Sequence, residues 1–340
     1  MNFKAICLLC LMVCQQQKFA AAQTIVVDAA GDGNFKTIQE AINSLPDSSA
    51  IDRTILIKKG TYREKVFIAK HHIILQGEDK NNTIIKQAVA REIWLCNNPS
   101  DWGAATLNIS GNDITLKNLT VLNNYAKETP RDTIVGCPNT PATPMKTVKP
   151  TSHQMAMRTT AATRLKALDC IFTSYAGDTV SPWNVKNGLF YFKDCTMEGY
   201  VDFYCPRGRA YAENCTFICH SPEAAIWHDG SADENSKTVL VNCKFVGDNG
   251  FKLGRYHRDA QFYLINCSFA ANMANAPIYQ AASSAGVKWG QRTYYFNCHK
   301  ADGDYQWFKN NLNTSPGAPD AKQINAIWAM DNKWNPLLTN

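Results

Sequence analysis

The sequence predicts an all-β fold, a right-handed parallel β-helix in which short strands stack coil upon coil. The main observation is a phrase of a small polar residue, a cysteine and a phenylalanine that occurs three times: AENCTF at 212–217, LVNCKF at 240–245 and LINCSF at 264–269. Looser copies surround three further cysteines, Cys170, Cys195 and Cys298. The six cysteines follow one another at intervals of 20 to 31 residues, without long helical periodicity between them. This spacing is typical of a solenoid whose coils bury one continuous core.

Each coil is predicted to contain short strands separated by turns. Runs of β-branched and aromatic residues end at Gly, Asn, Asp or Ser, as in HHIILQGED at 71–79 and GNDITLKNLTVLN at 111–123. A β-sandwich is the alternative, but its turns recur about every 8 to 12 residues and carry no repeated phrase. The repeated phrase therefore favours the β-helix.

Two flanking segments complete the predicted single domain, which extends over residues 23–340. NFKTIQEAINSLP at 34–46 places apolar residues at a helical period and ends at a proline, so we expect a short helix that caps the first coil. The aromatic, proline-bearing stretch at about 305–340 carries no repeat, and we expect it to pack across the coils as an irregular segment. With 340 residues and 45% hydrophobic content, the chain can bury a large core.

The N-terminus predicts export. A basic residue, an apolar run ending at Cys14 and small residues ending at Ala22 form the pattern of a cleaved signal peptide over residues 1–22. We therefore expect a secreted protein, either periplasmic or extracellular. A lipoprotein signal ending at Cys14 is the less favoured alternative, because Val13 is larger than the residue usual at that position.

The cysteines are predicted to be mostly free and buried. Ten of the thirteen follow the signal peptide, and six of those recur at the same phase of the repeat. One small side chain per coil is typical of an apolar filler. No two C-x₂-C motifs occur together, so we expect no metal site.

Six segments carry a resemblance to a known family: VVDAAGDGNFKTIQEAINSLP (26–46), KKGTYREKV (58–66), LQGED (75–79), TLNISGNDITLKNLTVLN (106–123), LGR (253–255) and WNP (334–336). In this order, along nearly the whole chain, they resemble the pectin methylesterases, a family of carbohydrate esterases. The resemblance implies a β-helix that hydrolyses methyl esters of galacturonic acid residues in pectin and releases methanol without a cofactor. We expect a divergent bacterial branch, because no inhibitor-like region precedes the first segment.

The resemblance implies two catalytic aspartates and an arginine. It makes Asp202, in GYVDFY, the nucleophile and Asp178, in SYAGDT, the general acid and later the base. Arg255, in KLGRYH, is expected to keep Asp202 ionised and oriented. The aspartates are 24 residues apart, about one coil, so a parallel β-helix would bring them side by side. Two neighbouring carboxyl groups do not ionise together easily, so one can donate a proton while the other attacks.

The oxyanion donors depart from the family's pattern. The resemblance assigns one donor to Gln154, in HQMAMR, but the family's second glutamine corresponds to Ala176 or Gly177. We therefore predict a partial oxyanion hole, and we predict that a glutamine introduced at Gly177 would restore the missing donor. Losing one such donor slows an enzyme by roughly a hundredfold to a thousandfold.

Seven residues near these segments are candidate substrate contacts: Arg207, Arg209, Tyr200, Trp183, Trp227, His228 and His257. Guanidinium groups suit the free carboxylates of a partly de-esterified polyuronide, although a solvated basic loop is an alternative of equal weight. The aromatic residues are expected to stack on sugar rings, with a place in the core as the alternative. His228 is a candidate pH-sensitive contact, with a locally hydrogen-bonded loop histidine as the more common alternative, and His257 replaces a tryptophan of the family's pattern.

The expected partner is pectin or a polygalacturonate-type polysaccharide, bound by a monomer. Nucleic acid is not expected, because the formal charge is only +6 and no basic stripe accompanies it. No apolar stretch of membrane length follows the signal peptide, and no G-x-S-x-G motif suggests a serine hydrolase. The remaining alternative is a catalytically weakened or inactive polyuronide-binding homologue, because one oxyanion donor is missing.

Overall fold

The computed structural model describes residues 24–140, 144–230, 233–282, 286–290 and 292–338, so the predicted signal peptide lies outside the described residues. The strands are β1 Ile25–Val27, β2 Arg53–Ile57, β3 Gly60–Tyr62, β4 Val66–Ile68, β5 Ile73–Gly77, β6 Thr83–Gln87, β7 Ala105–Ile109, β8 Ile114–Lys117, β9 Thr120–Asn123, β10 Thr133–Gly136, β11 Met145–Val148, β12 Met155–Thr159, β13 Leu165–Leu168, β14 Ile171–Ser174, β15 Val180–Ser181, β16 Leu189–Lys193, β17 Thr196–Gly199, β18 Arg209–Glu213, β19 Thr216–Cys219, β20 Ala224–Trp227, β21 Thr238–Val241, β22 Lys244–Gly247, β23 Lys252–Tyr256, β24 Gln261–Ile265, β25 Ser268–Phe269, β26 Tyr279–Gln280, β27 Arg292–Phe296 and β28 His299–Lys300. The helices are α1 Ile38–Ser44, α2 Arg91–Asn97, α3 Tyr125–Glu128 and α4 Ala326–Ala329, with 3₁₀ turns at Asn311–Asn313 and Ala321–Gln323.

The strands form a parallel β-helix with three faces. The first face is a ten-stranded sheet of order β1-β2-β5-β8-β13-β16-β18-β21-β24-β27, and the second is a nine-stranded sheet of order β28-β25-β22-β19-β17-β14-β9-β6-β3. The third face combines β15-β12-β7-β4 with β20-β23-β26, which parallel bridges at Val180, Tyr204 and Ile226 connect. The predicted fold, a right-handed parallel β-helix, is confirmed.

The repeated phrase forms the corner between the first two faces. Its Asn or Asp has a left-handed φ of 50° to 55° in every copy: Asp169, Asp194, Asn214, Asn242, Asn266 and Asn297. Asn and Asp tolerate this conformation better than most residues, so the chain can turn sharply between strands. The cysteine and phenylalanine then face the core, where successive phenylalanines stack with ring centroids 4.7 Å apart at Phe217 and Phe245.

The cysteine ladder is confirmed, and one disulfide accompanies it. All eight free cysteines of the described chain are buried, including the six of the repeat. The Sγ of Cys195 lies 3.4 Å from the carbonyl oxygen of Ala167 in the preceding coil, as expected of a thiol that fills a stacked core. Cys96 and Cys137 form a disulfide that joins α2 to the β10–β11 hairpin, neither of which the sequence analysis predicted.

Helix α1 covers the N-terminal end of the coils, as predicted. Thr37 caps it by accepting a hydrogen bond from the Glu40 backbone N–H, and Leu45 before Pro46 ends it. Ile38, Ala41 and Ile42 are buried against the first strands. Among the helices that the structure describes, none has the length and apolar character needed to cross a membrane.

The C-terminal segment packs on the outer face of the ten-stranded sheet. Leu312, Ala326 and Met330 share a buried cluster with tyrosines of that sheet, among them Tyr211 and Tyr263. The segment also covers the sheet's last strand, β27. Asn311 accepts a hydrogen bond of 2.7 Å from the Tyr295 N–H through Oδ1, and it donates one of 2.8 Å to the Thr293 carbonyl through Nδ2. The tail therefore pairs with an edge that would otherwise be open.

Candidate active site

The third face brings the two predicted catalytic aspartates onto neighbouring coils. The bridge between Val180 and Tyr204 sets the register, so that Asp178 and Asp202, each two residues earlier, lie beside one another. Both aspartates have a left-handed φ, 65° and 51°, which Asp adopts more readily than bulkier residues. The spacing of one coil, expected from the sequence, thus corresponds to adjacent positions on one face.

Arg255 reaches Asp202 from the second coil after it. Its Nη2 donates to Oδ2 of Asp202 at 2.8 Å, and its Nε donates to Oδ1 at 3.0 Å. The coil between them places Ala224 opposite Asp202, where its carbonyl oxygen accepts a 2.7 Å hydrogen bond from the Asp202 N–H. The two nearly parallel bonds fix the plane of the carboxylate as well as its position.

Burial and charge act on Asp202 in opposite directions. The side chain is only 14% exposed, and this burial raises the pKa of Asp202 above its ordinary value. Hydrogen bonds and charge from Arg255 act to lower that pKa, the charge of nearby Asp178 raises it, and His257 lowers it. Arg255 is therefore the main group that favours the ionised, nucleophilic form.

A thiol contacts the second aspartate. The Sγ of Cys205 lies 3.5 Å from Oδ1 of Asp178. Burial raises the pKa of Cys205, with the charge of Asp178 as the next cause, so the thiol keeps its proton and can donate it to this oxygen. Cys205 therefore helps to orient Asp178, and the sequence analysis did not single it out.

Gln154, the predicted oxyanion donor, has structural partners at both ends of its amide. The side chain is fully buried, its Oε1 accepts from the Ala126 N–H at 3.1 Å, and its Nε2 donates to the Pro150 carbonyl at 2.6 Å. The amide thus links the segment before β12 to α3. The nitrogen carries a second N–H beside the one that Pro150 accepts, and the oxyanion role of Gln154 stays a prediction.

The prediction for Gly177 is wrong. A Cβ at this position would lie 2.7 Å from the Val201 carbonyl oxygen and 2.8 Å from Cδ2 of His153. Any side chain there would have to displace backbone, so a glutamine cannot be introduced without moving the turn that carries Asp178. The position of the family's second glutamine, Ala176 or Gly177, therefore supplies no side-chain donor here.

A column of alternating guanidinium and aromatic groups lies beside the aspartates on the third face. Five successive coils contribute one side chain each: Arg158, Trp183, Arg207, Trp227 and His257. The guanidinium carbon of Arg207 lies 4.0 Å from the ring centroid of Trp183 and 4.1 Å from that of Trp227. Arg158 stacks on Trp183 at 4.4 Å. The indole faces predicted to contact sugar thus contact arginine instead, and Trp227 is only 6% exposed.

Two predicted substrate contacts prove to be structural. Arg209 is buried on the first face, where it forms ion pairs with Asp331 and Asp233. His228 is fully buried, its Nδ1 lies 3.1 Å from the Pro206 carbonyl oxygen, and burial lowers the pKa of His228 to about 4. Neither side chain can reach a polysaccharide, because the protein surrounds it.

Tyr200 and His257 remain candidate substrate contacts near the nucleophile. Both side chains are half-buried, and Tyr200 precedes Asp202 by two residues with its ring 5.8 Å from that of His220. His257 packs edge-on against Trp227 at 6.0 Å between centroids. Within the described part of the chain, no cluster of three or more His, Cys, Asp or Glu side chains is arranged to hold a metal ion.

Comparison with known proteins relates this chain to pectinesterases. The family model for pectinesterases matches residues 24–134. Putative pectinesterase 11 of Arabidopsis thaliana is 28% identical over 292 residues, which cover 84% of this chain and 72% of that protein. The chain is therefore similar to pectinesterases. It spans about a third of the length of longer relatives from the same plant, such as 36% of Probable pectinesterase/pectinesterase inhibitor 58, with 28% identity over 67% of this chain.

Solved pectin methylesterases share the architecture of this protein. One, in complex with a hexasaccharide, superposes with a TM-score of 0.71 at 20% identity, over 94% of this chain and 100% of that chain. Pectin methylesterase PemA from Erwinia chrysanthemi gives a TM-score of 0.70, also at 20% identity, with 94% and 100% covered. At this level of identity the likeness establishes the fold.

Proposed function

We propose that the protein hydrolyses the methyl esters of galacturonic acid residues in pectin, or in a related polyuronide, and releases methanol. The observation that carries the proposal is the ion pair between Asp202 and Arg255 beside Asp178 on the third face. This arrangement offers one carboxylate that a guanidinium pairs and orients, with a second carboxyl group beside it to serve as proton donor and acceptor. Similarity to pectinesterases supports the same reaction.

The reaction runs in two steps. A carboxylate oxygen of Asp202 attacks the ester carbonyl carbon, and the carbonyl electron pair moves onto oxygen to form a tetrahedral oxyanion. When this oxyanion collapses, the bond to the methoxy oxygen breaks, that oxygen takes the proton of Asp178, and methanol leaves. Water then attacks the acyl carbon while Asp178 accepts a proton, which frees the uronic acid and returns Asp202 as a carboxylate.

The wider context follows from the same proposal. The protein acts as a monomer, as a single domain over residues 23–340, after export and removal of a signal peptide. The disulfide between Cys96 and Cys137 supports export, because such bonds persist mainly in oxidising compartments. Tyr200 and His257 contact the polysaccharide near the nucleophile.

A second candidate function has a specific observation in its favour. Ala176 and Gly177 supply no side-chain donor and Gln154 already donates to the Pro150 carbonyl, whereas oxyanion donors contribute a large part of the rate in acyl transfer. A homologue that binds polyuronides without hydrolysing them would retain the substrate-binding surface and lack a complete set of oxyanion donors. Methanol release separates the two candidates.

Methanol release from methyl-esterified pectin tests the proposal. The parent protein should release methanol, and Asp202→Asn should reduce the rate by at least about a thousandfold, because the amide is no nucleophile. Asp302→Asn is the matched control, since this aspartate is exposed in the turn after β28 and its replacement should leave the rate unchanged. Parent activity no greater than that of Asp202→Asn, with both proteins folded, would favour the binding homologue.

A further inference from the structure

We propose that Arg207, held between Trp183 and Trp227, binds a free uronate carboxylate of the chain whose neighbouring ester is cut. The inference rests on the proposed function and adds a requirement to it. The substrate is then a partly de-esterified polymer rather than a fully esterified one.

The stacking fixes which part of Arg207 is available. Its coil lies between the coils of Trp183 and Trp227, so the two indoles, at 4.0 and 4.1 Å, cover opposite faces of the guanidinium. Nη1 points into the protein, where it donates to the Cys205 carbonyl at 3.2 Å and lies 3.5 Å from Oγ of Ser181. Only the rim of the group remains for a ligand, and its planar pair of N–H donors matches a carboxylate.

The charges around Arg207 leave it without a counter-ion. Arg158, on the other side of Trp183, is paired with Asp101, which also pairs with Arg91. No salt bridge joins Arg207 to an Asp or Glu among the residues that the structure describes. Burial lowers the pKa of Arg158, and repulsion by Arg207 is the second cause. An anion bound at Arg207 would relieve this repulsion, and so the column favours a negatively charged ligand.

The position of the column identifies the anion as part of the substrate chain. Trp183 and Arg207 pair in register and stand five residues beyond Asp178 and Asp202, respectively. Five residues span at most about 18 Å, which is a distance of a few sugar units. A polyuronide that places one ester at Asp202 therefore brings the carboxyl group of a nearby sugar to Arg207. An ester at that position carries no charge and gains little from the guanidinium.

Binding of polygalacturonate, which contains no ester, tests the subsite independently of catalysis. Calorimetric titration should show that Arg207→Gln weakens binding by about ten- to a hundredfold, the range for a charge-assisted bidentate contact. Arg207→Lys keeps the charge but loses the planar fork and the stacking, and it should weaken binding by at least about fivefold. Lys244→Gln removes one exposed positive charge from the second face and should leave binding unchanged.

Methanol release supplies the second readout. With Arg207→Gln, kcat/KM should fall about as much as binding on partly esterified pectin and should change little on fully esterified pectin. Parent-like polygalacturonate binding by both Arg207 variants, or no binding by the parent, would overturn the subsite. If Arg207→Gln fails to fold, Arg207→Lys decides. A parent that binds polygalacturonate through Arg207 but releases no methanol would instead refute the proposed hydrolysis and leave the subsite standing.

Discussion

At the scale of single residues, Arg255 is the group that favours the charged form of the nucleophile, Asp202. Asp202 is largely buried, and burial alone favours a protonated, unreactive carboxyl group. The two short bonds from Arg255 favour the carboxylate. Lysine at position 255 could supply charge but not both bonds, so the fork geometry matters as much as the charge.

His228 gives the protein a pH dependence of folding that is separate from catalysis. Burial lowers the pKa of His228 from 6.5 to about 4, so the unfolded chain binds a proton there that the folded chain does not. The free energy of unfolding should therefore be fully retained above pH 6.5 and decrease by up to about 3 kcal/mol as the pH falls through 4. His228→Asn, which keeps a donor for the Pro206 carbonyl, should flatten this decrease in urea unfolding at pH 7 and pH 4.5.

His299→Asn is the control for that experiment. The His299 side chain is 64% exposed, so its replacement should leave the pH dependence of stability close to that of the parent. Equal pH slopes for the parent and for His228→Asn would show that the buried imidazole does not carry the effect.

These residues also show what sequence patterns can and cannot reveal about a site. Asp178, Asp202 and Arg255 could be predicted because family motifs name them and the coil length brings the aspartates together. Arg209 could not be predicted, because its partner Asp331 is 122 residues away, in a segment without a repeat. The same holds for Gln154, whose amide oxygen accepts from Ala126 in helix α3, 28 residues earlier.

At the scale of structural elements, the repeated phrase both turns the chain and fills the core within three residues. The left-handed Asn or Asp turns the chain, and the cysteine after it fills the space inside the turn. This local rule recurs in every copy, so the coils could be predicted from sequence alone. Helix α2 and the β10–β11 hairpin are inserted between strands of the coils, and no periodic sequence pattern predicted them.

Thiol titration tests the ladder as an element. The unfolded, unreduced mature protein should contain eight reactive thiols, and reduction should add two more from Cys96 and Cys137. The reason is that the ladder cysteines are buried fillers and none of them forms a disulfide. A count of two or fewer thiols before reduction would mean that the ladder is bridged rather than free.

At the scale of the whole molecule, both ends of the β-helix are closed by segments that do not belong to the repeat. Helix α1 covers the first coil, and Asn311 pairs with the backbone of β27 at the last. Uncovered sheet edges invite pairing with another copy, so these closures favour a monomer.

Asn311→Ala should weaken the closure at the C-terminal end. It leaves the Tyr295 N–H and the Thr293 carbonyl without partners, which should reduce the free energy of unfolding by about 1 to 3 kcal/mol. The exposed edge should also raise self-association, measured by light scattering against protein concentration. Asn313→Ala, an exposed neighbour, should alter neither quantity. A stable, strictly monomeric Asn311→Ala protein would show that other parts of the tail close the edge.

The ion pair between Arg255 and Asp202 also involves a residue with a very small side chain, Ala224. The two residues stand two coils apart, and the intervening coil presents the methyl group of Ala224 at the position opposite Asp202. We expect a side chain larger than this methyl group to stand in the way of the guanidinium. Position 224 would then be specified by the chemistry although it takes no proton and carries no charge, because the ion pair requires a small residue there.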